Sequence, residues 1–428
     1  MRRIPLPIFV GFTLIFFTSP IVAQEWTVLR YTPIQIEALF LEQNLQLIAE
    51  KMNISLADAE IVQAKQWANP ELSVGSVNFW GSEKQREGLV MGAFPKNTQF
   101  SVELSQLIQT AGKRSKLVNQ TKVSKEIAVE EFEDVLRGLK AELRKLVGET
   151  TYLQSYSAVL SDQQKSLEQL TEAYKKQAAQ GNIAKTELVR LQSGLLELEN
   201  EINETRSSLN EQQKNLKSLL NISPLNRIEI DPNNDSMPVP EPDWLASLFV
   251  TARESRPDLK RGELETLFYE KSFIYEKSLR TPDITLSANY DRYGGVWKDF
   301  VGIGISFELP FLNRNQGNIK AARISINQSR QLALQQQNNA LHEIAEAFAN
   351  YEQAYNFQQK IAENELLTEL DKMFEIYTKN LLNKNISMLE YIDFMESYRS
   401  SKQTMLSARK NKHISFIELQ YATGSDLK

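Results

Sequence analysis

The chain has 428 residues, 42% hydrophobic and 24% charged, with a formal net charge of −5. That balance excludes a disordered chain and a helical membrane protein, and the acidic sum argues against a nucleic-acid partner. With no cysteine and two isolated histidines, His342 and His413, the chain also lacks disulfides, thiol catalysis, a Cys/His metal centre and the cysteine that N-terminal lipidation requires.

In chain order, residues 1–23 read MRRIPLPIFVGFTLIFFTSPIVA: two arginines, a short apolar core, then Ala23 before Gln24. The core is shorter than the roughly 20 residues a span needs, so a signal peptide of an exported protein is expected. A first unit is predicted over 24–222: a helical segment, a β-hairpin at 69–109, a long helix at 112–178 and a second helix at 183–221. In the hairpin, Phe100, Val102 and Leu104 alternate with Ser101, Glu103 and Ser105. Phe132, Leu139, Leu146, Leu153, Leu160, Leu167 and Tyr174 then lie seven apart with no intervening proline. That heptad predicts coiled-coil packing along a helix of about 100 Å. The turn QGNIAK closes it: Gly181 suits φ > 0, and Asn182 is expected to cap the next helix.

Residues 223–244 hold five prolines and an Asn/Asp cluster and read as a linker. A second unit follows at 245–428: a helical segment, a hairpin at 282–310, a long helix at 317–380 and a helix at 387–422. It repeats the first. NPELSVG (69–75) parallels TPDITLS (281–287), and GNIAKTELVRLQ (181–192) parallels KNISMLEYIDFM (384–395). FSVELSQLIQTAGKRSK (100–116) aligns without gaps on ISFELPFLNRNQGNIK from Ile305 onward, pairing Glu103 with Glu308 and Gly112 with Gly317. The junction residues are thus Gly112, Pro310 and Gly317, with Pro310 ending the strand and a helix expected from near Asn318.

Each predicted strand has one apolar and one small, polar or acidic face. Each approaches the 9–11 residues that cross a bilayer as a tilted strand. Trp67, Trp80, Tyr290, Tyr293, Trp297 and Phe300 stand near strand ends, as in an interfacial girdle. Backbone in lipid must be paired, and four strands cannot close. A membrane role therefore requires several copies sharing one barrel; three supply twelve strands and room for a pore. Two hairpins of a soluble sheet packed on helices remain the alternative.

The signal peptide, the duplicated strand-strand-helix-helix plan, NPELS, ELSQLIQTAGKR and ISFELPFLNRNQGNI together resemble the TolC-type outer-membrane efflux channels, most closely their heavy-metal-efflux, CzcC-like branch. The resemblance covers nearly the whole chain after residue 23. It implies a mainly α fold with a small β part: a trimer whose twelve-stranded outer-membrane barrel continues into a long periplasmic α-helical barrel. It also implies a Gram-negative outer-membrane location and work with a periplasmic membrane-fusion adaptor and an inner-membrane pump, most commonly RND-type. It implies no cofactor and no enzymatic activity. The cargo is then metal ions or small toxic compounds. A soluble periplasmic coiled-coil scaffold or adaptor is the competing reading.

Three sets of residues carry the channel reading. Glu103 and Glu308, on polar strand faces, would ring the lumen and favour cations, or else pair with Lys113, Arg114 or Arg314. The tips, Gln180, Gly181, Asn182, Ile183 and Asn383, Lys384, Asn385, Ile386, correspond to the family's adaptor-facing mouth, with Ile183 and Ile386 expected to be exposed. Asp371 and Glu375, before the second tip, would narrow the mouth as an acidic gate, or else form a solvated helix face. No catalytic or metal-ligating constellation is legible.

Overall fold

The computed structural model describes residues 27–75, 100–231, 237–292, 297, 299–363 and 366–427. The signal segment 1–23, Trp80 and Tyr293 lie outside the described residues. The described chain is mostly helical and is built in two similar passes. The first runs β1 (Thr27–Tyr31), α1 (Pro33–Gln43), α2 (Leu45–Ala64), β2 (Glu71–Gly75), β3 (Phe100–Ile108), α3 (Lys113–Ala179) and α4 (Lys185–Leu219). The second runs β4 (Asn226–Ile230), α5 (Trp244–Ser255), α6 (Pro257–Ser278), β5 (Ile284–Arg292), β6 (Asp299–Phe307), α7 (Gln316–Ala362), α8 (Leu366–Leu382) and α9 (Met388–Thr423).

The heptad does what its spacing dictates. Leu139, Leu153, Leu160, Leu167 and Tyr174 are buried along α3, 67 residues long, and meet Leu191 and Leu198 of α4 and Leu216 near its end. A 67-residue helix spans about 100 Å.

Three expectations need correction. The stretch 223–244 is not only a linker: Asn226–Ile230 forms β4 and pairs in parallel with β1, Leu29 opposite Ile228. The β4 backbone is also gripped by two side-chain amides. Gln213 donates to Ile228 O at 2.7 Å and accepts from Ile228 N–H at 2.9 Å, while Gln154 accepts from Ile230 N–H at 3.3 Å. Next, the helix foreseen at 317–380 is two helices, α7 and α8. Seven-residue steps from Phe348 and Tyr355 would reach 362, 369 and 376, but the inward residues are Leu370, Tyr377 and Leu381. That one-residue phase slip rotates the apolar stripe by about 100°, so one straight helix cannot present both stripes to the same neighbours.

Finally, the second junction is longer than the gapless alignment implies. β3 runs on to Ile108 and leaves four residues before α3, whereas β6 stops at Phe307, eight residues before α7. Pro310 supplies no N–H to continue the ladder. Gly112 caps α3 with φ 66°, but Asn315 (φ 58°), not Gly317, holds the matching left-handed position before α7. Gly317 lies inside the helix, which starts at Gln316.

The two passes share one recurring joint. Between α1 and α2, Asn44 is buried; its Oδ1 accepts from Leu47 N–H and its amide donates to Leu219 O, both at 2.8 Å. Between α5 and α6, the buried Arg256 donates to Ala422 O at 2.8 Å. Leu219 ends α4 and Ala422 nearly ends α9, so each pass docks its elbow on the close of its own last helix.

Candidate functional site: a two-faced sheet and paired helix tips

β2, β3, β5 and β6 form one antiparallel sheet in that order, with β2 and β6 at its edges and unpaired on their outer sides among the described residues. Opposite residues of an antiparallel pair point to one face, so the register sorts every side chain. One face holds the rows Leu72–Leu104–Ala288–Ile303 and Val74–Val102–Tyr290–Val301, followed toward the helices by Gln106–Leu286–Ile305 and Ile108–Ile284–Phe307, and closed at the opposite end by Phe100–Arg292–Asp299. Apart from Gln106 and the charged pair Arg292–Asp299 at its end, this face is apolar, and it is exposed: Ile303 is 91% and Val301 75% exposed. A soluble sheet packed on the chain's own helices would bury this face; among the described residues nothing does.

The opposite face is small and polar, and every charge among its described residues is negative. Its successive rows are Glu71–Ser105–Ser287–Gly304, Ser73–Glu103–Asn289–Gly302 and Gly75–Ser101–Asp291–Phe300. Glu71, Glu103 and Asp291 therefore step along the face about 7 Å apart. Of these three, only Glu103 is among the acids expected from the sequence, Glu103 and Glu308. The strand alternation holds the signal for the others, since Glu71 shares parity with Ser73, and Asp291 with Asn289.

Glu308 does not lie mid-strand. It follows the last residue of β6, and because Glu103 is level with Gly302, Glu308 sits six residues, or about 20 Å, farther along. The two acids belong at different heights. The cations considered as their partners are engaged elsewhere. Lys113 bonds Asp283 at 2.7 Å, the Arg114 guanidinium lies 3.9 Å over the Trp67 ring, and Arg314 donates to Pro310 O at 3.3 Å.

At the far end of the helices, the two hairpin turns are the same motif. Asn182 N–H donates to Gln177 O and Gly181 N–H to Ala178 O; Asn385 N–H donates to Asn380 O and Lys384 N–H to Leu381 O. Both are Schellman closures with φ > 0 at the donor of the shorter-range bond, Gly181 (77°) and Lys384 (59°). Asn182 does not cap the following helix. Its amide donates to Gln180 instead, and α4 begins after Ala184 with no side-chain cap. Ser387 and Glu390 form a capping box for α9. Ile183 and Ile386 are half-buried rather than exposed. They pack onto one core built from both hairpins, including Tyr174, Leu191, Leu381 and Tyr391. Gln180, Gly181, Asn182, Asn383, Lys384 and Asn385 are the exposed part of the tips.

Asp371 and Glu375 on α8 differ. Asp371 accepts from Tyr398 Oη at 2.9 Å and pairs with Lys402 at 2.6 Å, which ties α8 to α9. Burial, then the bond and charge of Asp371, push the Tyr398 hydroxyl above its ordinary pKa. Glu375 is exposed.

The sequence profile described as "Outer membrane efflux protein" matches residues 38–221 and 248–425. The chain belongs to the outer membrane efflux protein family. These proteins are channels rather than enzymes, located in the outer membrane and extending into the periplasm. The cobalt-zinc-cadmium resistance protein CzcC of Cupriavidus metallidurans is 25% identical over 346 residues, covering 75% of this chain and 76% of that protein. The CmeC outer membrane channel of Campylobacter jejuni superposes with a TM-score of 0.74 at 14% identity, covering 92% of this chain and 85% of that one. VceC of Vibrio cholerae gives 0.71 at 15% identity, covering 92% and 97%. The resemblance to the TolC-type channels and to their CzcC-like branch is thereby confirmed, and so is the mainly helical fold with a small sheet.

Proposed function

We propose that three copies of this outer membrane efflux protein form an exit duct. Joining β2 of one copy to β6 of the next gives twelve strands and hides every edge. The single observation behind this reading is the sheet: among the described residues it has two unpaired edges, one face that is apolar but for Gln106 and the end pair Arg292–Asp299, and one face whose charges are all acids. The apolar face meets lipid and the acidic face lines water. The helices continue the wall as a periplasmic duct. A periplasmic adaptor meets the exposed tip residues, with Ile183 and Ile386 bracing them from within, and an RND-type inner-membrane pump loads the cargo. Similarity to the cobalt-zinc-cadmium resistance protein supports metal ions as that cargo.

In this assembly Glu71, Glu103 and Asp291 form stacked acidic rings that favour cations, and Glu308 forms a separate ring at the periplasmic end of the barrel. Asp371 and Glu375 narrow the helical mouth; Asp371 acts there through its tie to α9. The deciding experiment is extraction followed by planar-bilayer recording. Trimers released only by detergent, conducting and cation-preferring, are expected, with Glu103→Gln shifting the reversal potential toward zero in a salt gradient. A protein that is soluble without detergent and never conducts would instead be a periplasmic scaffold.

A further inference from the structure

The two strand-to-helix junctions differ in what they expose. The first, residues 109–112, is polar and tied down: Thr110 N–H donates to Asp283 at 2.9 Å, and the buried Lys113 reaches the same carboxylate at 2.7 Å. The second, residues 308–315, is held largely by short-range bonds. Phe311 N–H donates to Leu309 O at 2.8 Å, a γ-turn about Pro310. Arg314 N–H donates to Gln316 Oε1 at 2.8 Å and Asn315 N–H to Asn313 Oδ1 at 3.0 Å. What remains outside is apolar: Leu309, Phe311 and Leu312 are 61%, 71% and 94% exposed.

This loop continues directly from Phe307, at the end of the apolar sheet face. The Asn315 amide donates to Glu276 O at 2.9 Å and Oε2 at 2.6 Å, which holds the loop beside the end of α6. Lys277 and Arg280 are exposed there. Among the described residues, neither they nor Arg314 has an ion-pair partner. The result is a large apolar tip with a collar of exposed cations, of which Arg314 also bonds Pro310 O.

We propose that this loop is a lipid anchor: Leu309, Phe311 and Leu312 enter the acyl region of the leaflet on the helix side of the membrane, and Arg280 and Arg314 bind phospholipid phosphates. Three large apolar side chains in water are unfavourable, and such a patch marks a partner. Lipid is the occupant because the patch extends the face that the outer-membrane location turns to lipid. An apolar wedge flanked by basic residues is also the chemistry of interfacial anchoring. The anchor rests on the channel reading, in which this sheet face meets lipid, and adds to it a specific contact site.

The absence of native cysteine gives a clean test. Leu312→Cys is labelled with an environment-sensitive fluorophore on the full chain in phosphatidylethanolamine–phosphatidylglycerol vesicles, with Gln109→Cys on the polar junction as reference. The 312 label should be quenched several-fold more than the 109 label by lipids carrying a nitroxide high on the acyl chain, and should be shielded from aqueous iodide. Arg280→Gln with Arg314→Gln should reduce that lipid quenching. Iodide access equal to that at 109 would overturn the anchor, as would shielding from both quenchers, which would indicate cover by a second copy. Unchanged lipid quenching in the double variant would overturn the phosphate contacts. Conductance in the same vesicles separates the outcomes: a conducting protein whose 312 label sits in water keeps the channel and loses the anchor.

Discussion

The elbows at Asn44 and Arg256 do the same job with different chemistry. Both bind the carbonyl that closes their own pass, Leu219 O or Ala422 O. Asn44 does so as a neutral amide that also caps α2. Arg256, 2% exposed, adds a two-pronged pair with Asp258 at 3.0 and 2.6 Å and a bond to Glu343 at 2.8 Å; Gln336 completes the Asp258 shell at 2.7 Å. A duplicated plan thus preserves the joint's geometry but not its electrostatics. The second pass accepts the cost of burying an ion pair, which makes it sensitive to loss of either partner.

The sharpest break of this comparison is truncation of each elbow. Arg256→Ala leaves Asp258 buried beside a weaker partner, Arg137 at 3.7 Å. It should lower stability by about 3–5 kcal/mol. Asn44→Ala loses a cap and one carbonyl bond and should cost about 1–2 kcal/mol. Chemical denaturation of the solubilised protein reads both. Arg256→Met combined with Asp258→Leu should recover part of the larger loss, because no buried charge remains. Equal costs for the two single truncations would show that the ion pair adds nothing to the joint.

Acid separates the passes next. Burial alone would raise the Asp258 carboxyl, but the bonds and charge of Arg256 outweigh it and hold the pKa at about 2. A folded-state pKa below the unfolded value of 3.8 contributes stability that is complete at neutral pH and lost as pH falls from about 4 to 2. The contribution is about 2 kcal/mol. Asp426, held low against its own burial by Lys140 and Arg144, acts in the same direction. The bonds of Asn44 to Leu47 and Leu219 involve no titrating group. Hydrogen exchange between pH 5 and 2.5 should therefore open the α5–α6 elbow before the α1–α2 elbow, and Asp258→Asn should remove that order.

What the sequence made legible follows how local each cause is. The heptad in α3 and the alternation of β3, β5 and β6 are local patterns, and they announced the fold class and the two-faced sheet. β1 and β4 are five residues each and are held by one another across the chain and by Gln154 and Gln213, none of which is visible in a window. Ile183 and Ile386 read as exposed because the core they pack on is shared by two hairpins far apart in sequence. Glu308 was set too high because a gapless alignment cannot see that β3 continues to Ile108 while Pro310 stops its counterpart. Arg256 had a local hint, proline and aspartate opening a helix, but its partners Glu343 and Ala422 lie far away in sequence.

The smallest expected effect concerns the tips, where the comparison is between single residues. Gly181 and Lys384 occupy the same left-handed position of the same closure, and only glycine does so without a Cβ penalty. Lys384→Gly should therefore stabilise the second tip by up to about 1 kcal/mol, and Gly181→Ala should destabilise the first by a similar amount. The signs oppose because the backbone is fixed by identical hydrogen bonds while the side chain is not. If Lys384→Gly is instead neutral for stability yet weakens adaptor crosslinking from Asn385→Cys, the lysine is retained at this position for contact rather than for the turn.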